Sequence, residues 1–185
     1  VRPVSPIAFG AVGDGVADDT AALKKAFETG RTVDGQGKTY GVQSFTMTLS
    51  GNQRAHLLGC TIKHLAPDSG VFGSVASKVL EFVSSGGGYV QLDRSVKIDR
   101  NGNNVTPTVL ADLKLNQGVR CVGAFRNVKI DCEVTGNNPG ECIKIDGAET
   151  YSCETWVHDC FYPHSSVVTN DVLEGIVTQY QTHPT

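Results

Sequence analysis

Apolar and polar residues follow two different periods along this chain. Over residues 19–29 the period is helical. Ala22, Leu23, Ala26 and Phe27 fall on one side at spacings of one, three and four, and Lys24, Lys25 and Glu28 take the other. This predicts a helix over 19–29. Asp18 or Asp19 can cap its start by accepting backbone N–H groups, with a charge that suits the helix dipole, and Gly30 stops it. A helix this short is marginal alone, so its apolar stripe must rest on another layer. Elsewhere the period is two. After an extended lead over residues 1–8, Thr32–Asp34, Thr39–Gln43, Phe45–Leu49, His56–Lys63, Lys78–Val83, Tyr89–Leu92, Val96–Asp99 and Val128–Val134 read as short strands. Gly35-Gln36-Gly37, Ser50-Gly51-Asn52 and Ser84–Gly88 read as turns between them, and residues 66–77 and 100–108 as loops.

From residue 109 a repeat sharpens. In Val128–Val134, Val128, Ile130, Cys132 and Val134 share one face, and Lys129, Asp131 and Glu133 the other. An offset of 21 residues sets Cys121 over Cys142, Cys132 over Cys153, Val122 over Ile143 and Ala124 over Ile145. Lys-Ile-Asp recurs at 97–99, 129–131 and 144–146. Stacked parallel repeats put equivalent residues roughly 4.8 Å apart. The pattern predicts an all-β chain of stacked short strands, with an ordinary β-sandwich as the alternative.

Composition narrows this further. Twenty-one glycines among 185 residues suit a turn-rich β chain. A net charge of −3 gives no basic field for nucleic acid, and no apolar run approaches the ~18 residues of a membrane span. The chain begins at Val1 without a signal-like pattern, so residues 1–185 are expected to be one domain of a longer protein. Six cysteines contain no Cys-x-x-Cys pair. They are expected to be stacked, unpaired thiols, with disulfides the alternative in a secreted protein. Asp14, Asp18 and Asp19 lack the alternate spacing of a calcium loop. Nothing in the sequence asks for a metal or cofactor.

The segment Phe9-Gly-Ala-Val-Gly-Asp-Gly-Val-Ala-Asp-Asp-Thr-Ala-Ala-Leu-Lys-Lys-Ala-Phe27, followed by Gly35-Gln36-Gly37 and Thr39-Tyr40, resembles the start of the pectate-lyase-like right-handed parallel β-helix superfamily. The resemblance implies a right-handed single-stranded parallel β-helix, with residues 1–30 as lead-in and cap helix and 31–185 as the coil. It also implies carbohydrate-polymer chemistry. The Asn-Thr-Asp and Gly-His-Gly motifs of polygalacturonases are missing, and Tyr162-Pro163-His164-Ser165 is only a partial echo of the epimerase Asp-Pro-His-Glu. Tailspikes share architecture rather than a catalytic motif. The chain is therefore most similar to a bacteriophage tailspike or tail-fibre depolymerase. That resemblance implies a virion location, a homotrimer, contacts with other phage tail proteins, and recognition and cleavage of a bacterial surface polysaccharide by hydrolysis or β-elimination. The alternatives are a secreted pectinase-like enzyme and a non-catalytic glycan-binding or structural virion module.

Hydrolysis of a glycosidic bond needs two carboxylates. The 21-residue offset stacks Glu133 on Glu154, which marks them as the acid and the base or nucleophile, with Asp131 assisting. Tyr151, Trp156 and His158, in a run with Phe161, Tyr162 and His164, are the candidate sugar contacts, because sugar C–H faces pack on aromatic rings. The plainer alternatives are a solvated acidic face and ordinary loop packing.

Overall fold

The computed structural model describes residues 2–43, 45–65, 78–101, 117–135, 143–146, 154–157 and 176–179. Among these, a 3₁₀ turn at Pro6–Phe9 and one α-helix, α1 (Thr20–Glu28), accompany eleven strands. The strands are β1 (Asp14–Asp18), β2 (Thr32–Val42), β3 (Phe45–Leu49), β4 (Arg54–His64), β5 (Lys78–Leu92), β6 (Val96–Asp99), β7 (Gln117–Ile130), β8 (Glu133–Thr135), β9 (Ile143–Asp146), β10 (Glu154–Val157) and β11 (Ile176–Gln179). The described residues are all-β apart from these short helices, and every pairing between these strands is parallel.

The pairings sort into three columns. The first stacks β3, the start of β5, the start of β7, β9 and β11. The second stacks the start of β2, the start of β4, the end of β5, the end of β7 and β10. The third stacks β1, the end of β2, the end of β4, β6 and β8. The long strands therefore turn a corner midway, and they do so where the sequence has glycine. Gln36 and Gly37 in β2, Gly59 in β4, Gly87 in β5 and Gly123 in β7 all have positive φ. At Gly123 the reason is also steric: a Cβ there would stand 2.1 Å from the Ser84 carbonyl oxygen.

Each column turns an apolar ladder inward. Phe45, Leu80, Val119 and Ile143 are register neighbours in the first, as are Met47, Phe82 and Cys121. Val33, Leu57, Leu92 and Ile130 form the second, and Tyr40, Ile62, Ile98 and Val134 the third. All of these residues are buried. The Tyr40 hydroxyl is satisfied inside by donating to the Gly35 carbonyl at 3.1 Å.

Above β3 the first column has no earlier strand, and α1 fills that place. Its predicted stripe is buried: Ala22, Leu23, Ala26 and Phe27. The Phe27 ring lies 5.6 Å from Phe45 and 6.0 Å from Phe82, and those two rings are 6.1 Å apart. Burial of each such side chain contributes about 1.5–3 kcal/mol.

One expectation holds in part and another is corrected here. Of the two candidate caps, Asp18 accepts the N–H of Thr20, the first helical residue, at 3.0 Å, whereas Asp19 occupies the N-cap position but makes no side-chain cap bond. The laps are also unequal. Cys121 aligns with Ile145 and Val119 with Ile143, not Cys121 with Cys142 or Val122 with Ile143. Lys38 meets Cys60 after 22 residues, whereas Lys78 meets Gln117 after 39. Parallel stacking fixes the strand register, but the connections between strands are free to vary in length. Cys60, Cys121 and Cys132 are buried. Cys142, Cys153 and Cys160 lie outside the described residues.

Gly123→Ala should lower stability by more than about 1 kcal/mol in urea denaturation, because it combines a left-handed backbone with a collision. Gly30→Ala, at φ +68 with nothing within 4 Å of the added Cβ, should cost less. Equal losses at both positions would show that the corner contact with Ser84 does not matter.

Candidate functional site

The expected acid couple is not brought together by the register. Glu133 in β8 aligns with Lys97 and forms an ion pair with it at 3.2 Å, both side chains being nearly half exposed. Glu154 in β10 aligns with Asn127, 27 residues earlier, in a different column. Asp131 sits at the corner after β7. Its side chain is 13% exposed and lies 3.6 Å from the Arg94 Nε, and its amide donates to the Leu92 carbonyl. Trp156 aligns with Lys129. Tyr151 and His158 lie outside the described residues, as does Tyr162–Ser165.

Glu154 and Trp156 instead stand at the foot of two outer rows on the second column. One row runs Arg54, Tyr89, Asn127, and ends at the register position of Glu154. The other runs Thr32, His56, Gln91, Lys129, and ends at that of Trp156. These described residues alternate with buried Val33, Ala55, Leu57, Val90 and Val128, so they line the outer side. The Arg54 guanidinium stands 5.8 Å over the Tyr89 ring, a cation–π arrangement. Thr32 Oγ1 and His56 Nδ1 share a hydrogen bond at 3.0 Å, while His56 Nε2 is buried without a hydrogen-bond partner among the described residues. Burial pushes the His56 pKa down. Arg54 and Lys129 push the same way, against the opposing charge of Asp93. Asp93 is kept low first by the Ser95 N–H, and its Oδ1 also accepts the Ser95 hydroxyl at 2.9 Å.

The outer side of the first column holds a group that the sequence did not reveal. Glu81 is buried, 7% exposed. Its Oε1 receives Lys78 Nζ at 2.6 Å and Arg120 Nη1 at 3.1 Å, and its Oε2 receives the Thr46 hydroxyl at 3.0 Å. Thr46, Glu81 and Arg120 are register neighbours on three successive laps. Burial alone would raise the carboxyl pKa. The hydrogen bonds from Lys78 and Thr46, with the Lys78 and Arg120 charges, outweigh it and hold it below the usual range. Only offsets of 35 and 39 residues bring the three together, so a fixed repeat could not find them.

At the opposite extreme of the column stack, three aspartates finish the lead-in segment. Asp19 accepts the N–H groups of Val12 at 2.7 Å and Gly13 at 3.0 Å. Asp14 Oδ1 accepts those of Val16 and Ala17, both at 2.8 Å, bonds that hold its carboxyl low, the Ala17 one most. Asp18 Oδ1 accepts the Thr20 N–H at 3.0 Å and its hydroxyl at 2.5 Å. Thr20 Oγ1 in turn accepts the Gln43 N–H at 3.1 Å. Residues 11–48, which span this segment, α1, β2 and nearly all of β3, match the family model described as the N-terminal extension of bacteriophage endosialidase. No curated protein and no solved structure matches the chain. Among the described residues no helix is long and apolar enough to cross a membrane.

Glu81→Gln keeps the side-chain shape and removes the charge, and should lower stability at neutral pH by about 2 kcal/mol. Because the folded-state pKa is depressed, the charge stabilises the fold above the ordinary glutamate value of about 4.3, and that stabilisation is lost as pH falls through the lower folded-state value. Urea melts at stepped pH should show wild type and variant converging in acid. A gap that persists unchanged would exclude the charge as its source.

Proposed function

We propose that the chain is a right-handed parallel β-helix of the pectate-lyase-like type and belongs to a bacteriophage tailspike that recognises and depolymerises a bacterial surface polysaccharide. The reading is carried by one observation: the segment that matches the endosialidase extension is the segment whose helix closes the first column of parallel strands. The fold assignment is supported by three columns paired throughout in parallel, and by the general right-handedness of parallel crossovers. In this reading the protein is a virion component, a homotrimer, and a partner of other phage tail proteins. Asp131, Glu133 and Glu154 are the candidate acids, and Tyr151, Trp156 and His158 the candidate sugar contacts. The register favours testing each acid alone, since Glu133 and Glu154 stand in separate columns.

Two observations bear on the alternatives. Cys60 is a free, buried thiol whose pKa burial pushes up to about 12, which favours folding in a reducing compartment over a secreted disulfide protein. The Lys97–Glu133 ion pair already engages one of the candidate acids, and so favours a glycan-binding module without cleavage as the second reading.

The protein incubated with purified capsular and O-antigen polysaccharides should release new reducing ends if it hydrolyses, or products absorbing in the ultraviolet if it eliminates. Replacement of the operative acid, through Glu133→Gln, Glu154→Gln or Asp131→Asn, should reduce turnover by at least about a hundredfold. Binding without either product would leave the module reading, and no binding to any of these polymers would overturn both. Titration of the denatured protein should give six reactive thiols, one for each cysteine. Fewer would revive the secreted reading.

A further inference from the structure

The outer rows of the second column use residues that none of the foregoing assigns to function. Their chemistry is mixed in a particular way. Tyr89 offers a ring face and Gln91 a planar amide on β5, Asn127 offers a second amide on β7 roughly 4.8 Å away, and Thr32 offers a hydroxyl two strands to the other side, beyond His56. The carboxylates bordering the rows are engaged within the protein: Asp93 by Ser95, and Asp131 beside Arg94. Arg54 differs. It is exposed, its guanidinium rests on Tyr89, and it has no carboxylate partner among the described residues. Lys129, in the neighbouring row, acts on the Asp93 carboxylate and helps to hold it low.

We propose that this face, centred on Arg54, Tyr89, Gln91 and Asn127, is the glycan-recognition surface, and that it receives a polysaccharide strand bearing carboxylate or other anionic groups. The ring packs on sugar C–H faces, the amides hold hydroxyls, and Arg54 pairs with the anionic group after swinging off the Tyr89 ring. The strand crosses successive laps, because each row draws one residue from each lap. Glu154 and Trp156 hold the register positions at the ends of the same rows. The inference rests on the polysaccharide reading above and locates its contact surface.

The test uses affinity electrophoresis of the full chain in gels containing purified capsular polysaccharides, with polygalacturonate as an acidic control and dextran as a neutral one. Arg54→Ala and Tyr89→Ala are expected to weaken retardation by an acidic polymer about tenfold each, and added salt should weaken it further. Arg54→Lys should restore part of the loss, which a merely structural defect would not allow. Lys38→Ala, which removes an exposed cation on the third column, should leave retardation unchanged. If wild type is retarded by no polymer, the functional reading and this surface fall together. If wild type is retarded and the second-column variants, melting like wild type, match it, the surface alone is refuted. Equal retardation by dextran would refute the anionic assignment. If Arg54→Ala or Tyr89→Ala changes sedimentation-derived oligomeric state instead of retardation, the face is an interface between copies and the proposal is overturned.

Discussion

No lap of this protein can bury its own apolar side. The inward ladders exist only because parallel pairing holds Val33 beside Leu57, Leu57 beside Leu92 and Leu92 beside Ile130, so that each lap completes the core of the next. A stack built this way is stable in its middle and unsatisfied at its ends. An end lap presents both apolar side chains and unpaired backbone donors, and each is a hazard. The first lap meets the two demands separately. Phe27 of α1 covers the rings of Phe45 and Phe82, which no earlier strand could cover. Asp14, Asp18 and Asp19 between them take backbone N–H groups of Val12, Gly13, Val16, Ala17 and Thr20.

This division explains why Asp19 does not act as sequence reasoning allows, while Asp18 accepts the N–H of Thr20 at the helix start. A carboxylate at the N-cap normally serves the helix. Asp19 is 2% exposed and turns back to the chain reversal at Val12 and Gly13, where no strand or helix supplies an acceptor. The helix loses one cap, and the edge gains two satisfied donors. Burying that carboxylate is tolerable because two N–H groups bond to it directly. The segment is thus self-contained: its glycines permit the reversal and its acids satisfy it. A self-contained segment can be similar between proteins whose later laps differ, which accords with a family match confined to residues 11–48.

The parts of the fold legible in the sequence are those decided within one strand or one helix. Phe45–Leu49 and Val96–Asp99 form over the residues expected, and α1 spans Thr20–Glu28 against an expected 19–29. Lys78–Val83 and Tyr89–Leu92 appear as a single bent strand, because Gly86–Gly88 turns the corner without ending the pairing. Illegible was whatever depends on which lap lies beside which. The three Lys-Ile-Asp copies illustrate it. Ile98 is in the third column beside Val134, Ile130 in the second beside Leu92, and Ile145 in the first beside Cys121. Strand ends of similar polarity recur because each must leave a core and meet water, not because they stack. An offset inferred from such recurrences pairs the wrong acids, and it separates Thr46, Glu81 and Arg120, which the true register joins.

The same register governs which charges remain for a ligand. A carboxylate is available to a substrate only if its own protein has not already engaged it. Glu81 is taken by Lys78, Arg120 and Thr46, and Glu133 by Lys97. On the second column the balance runs the other way. Its bordering acids are turned to Ser95 and Arg94, while its exposed cation leans on a tyrosine ring. An arginine on an aromatic face is held in place at little cost and can leave it for an anion, since a charge-assisted hydrogen bond is stronger than an exposed cation–π contact. That difference, and not the number of acids on a face, separates a surface occupied with its own stability from one prepared to meet another molecule.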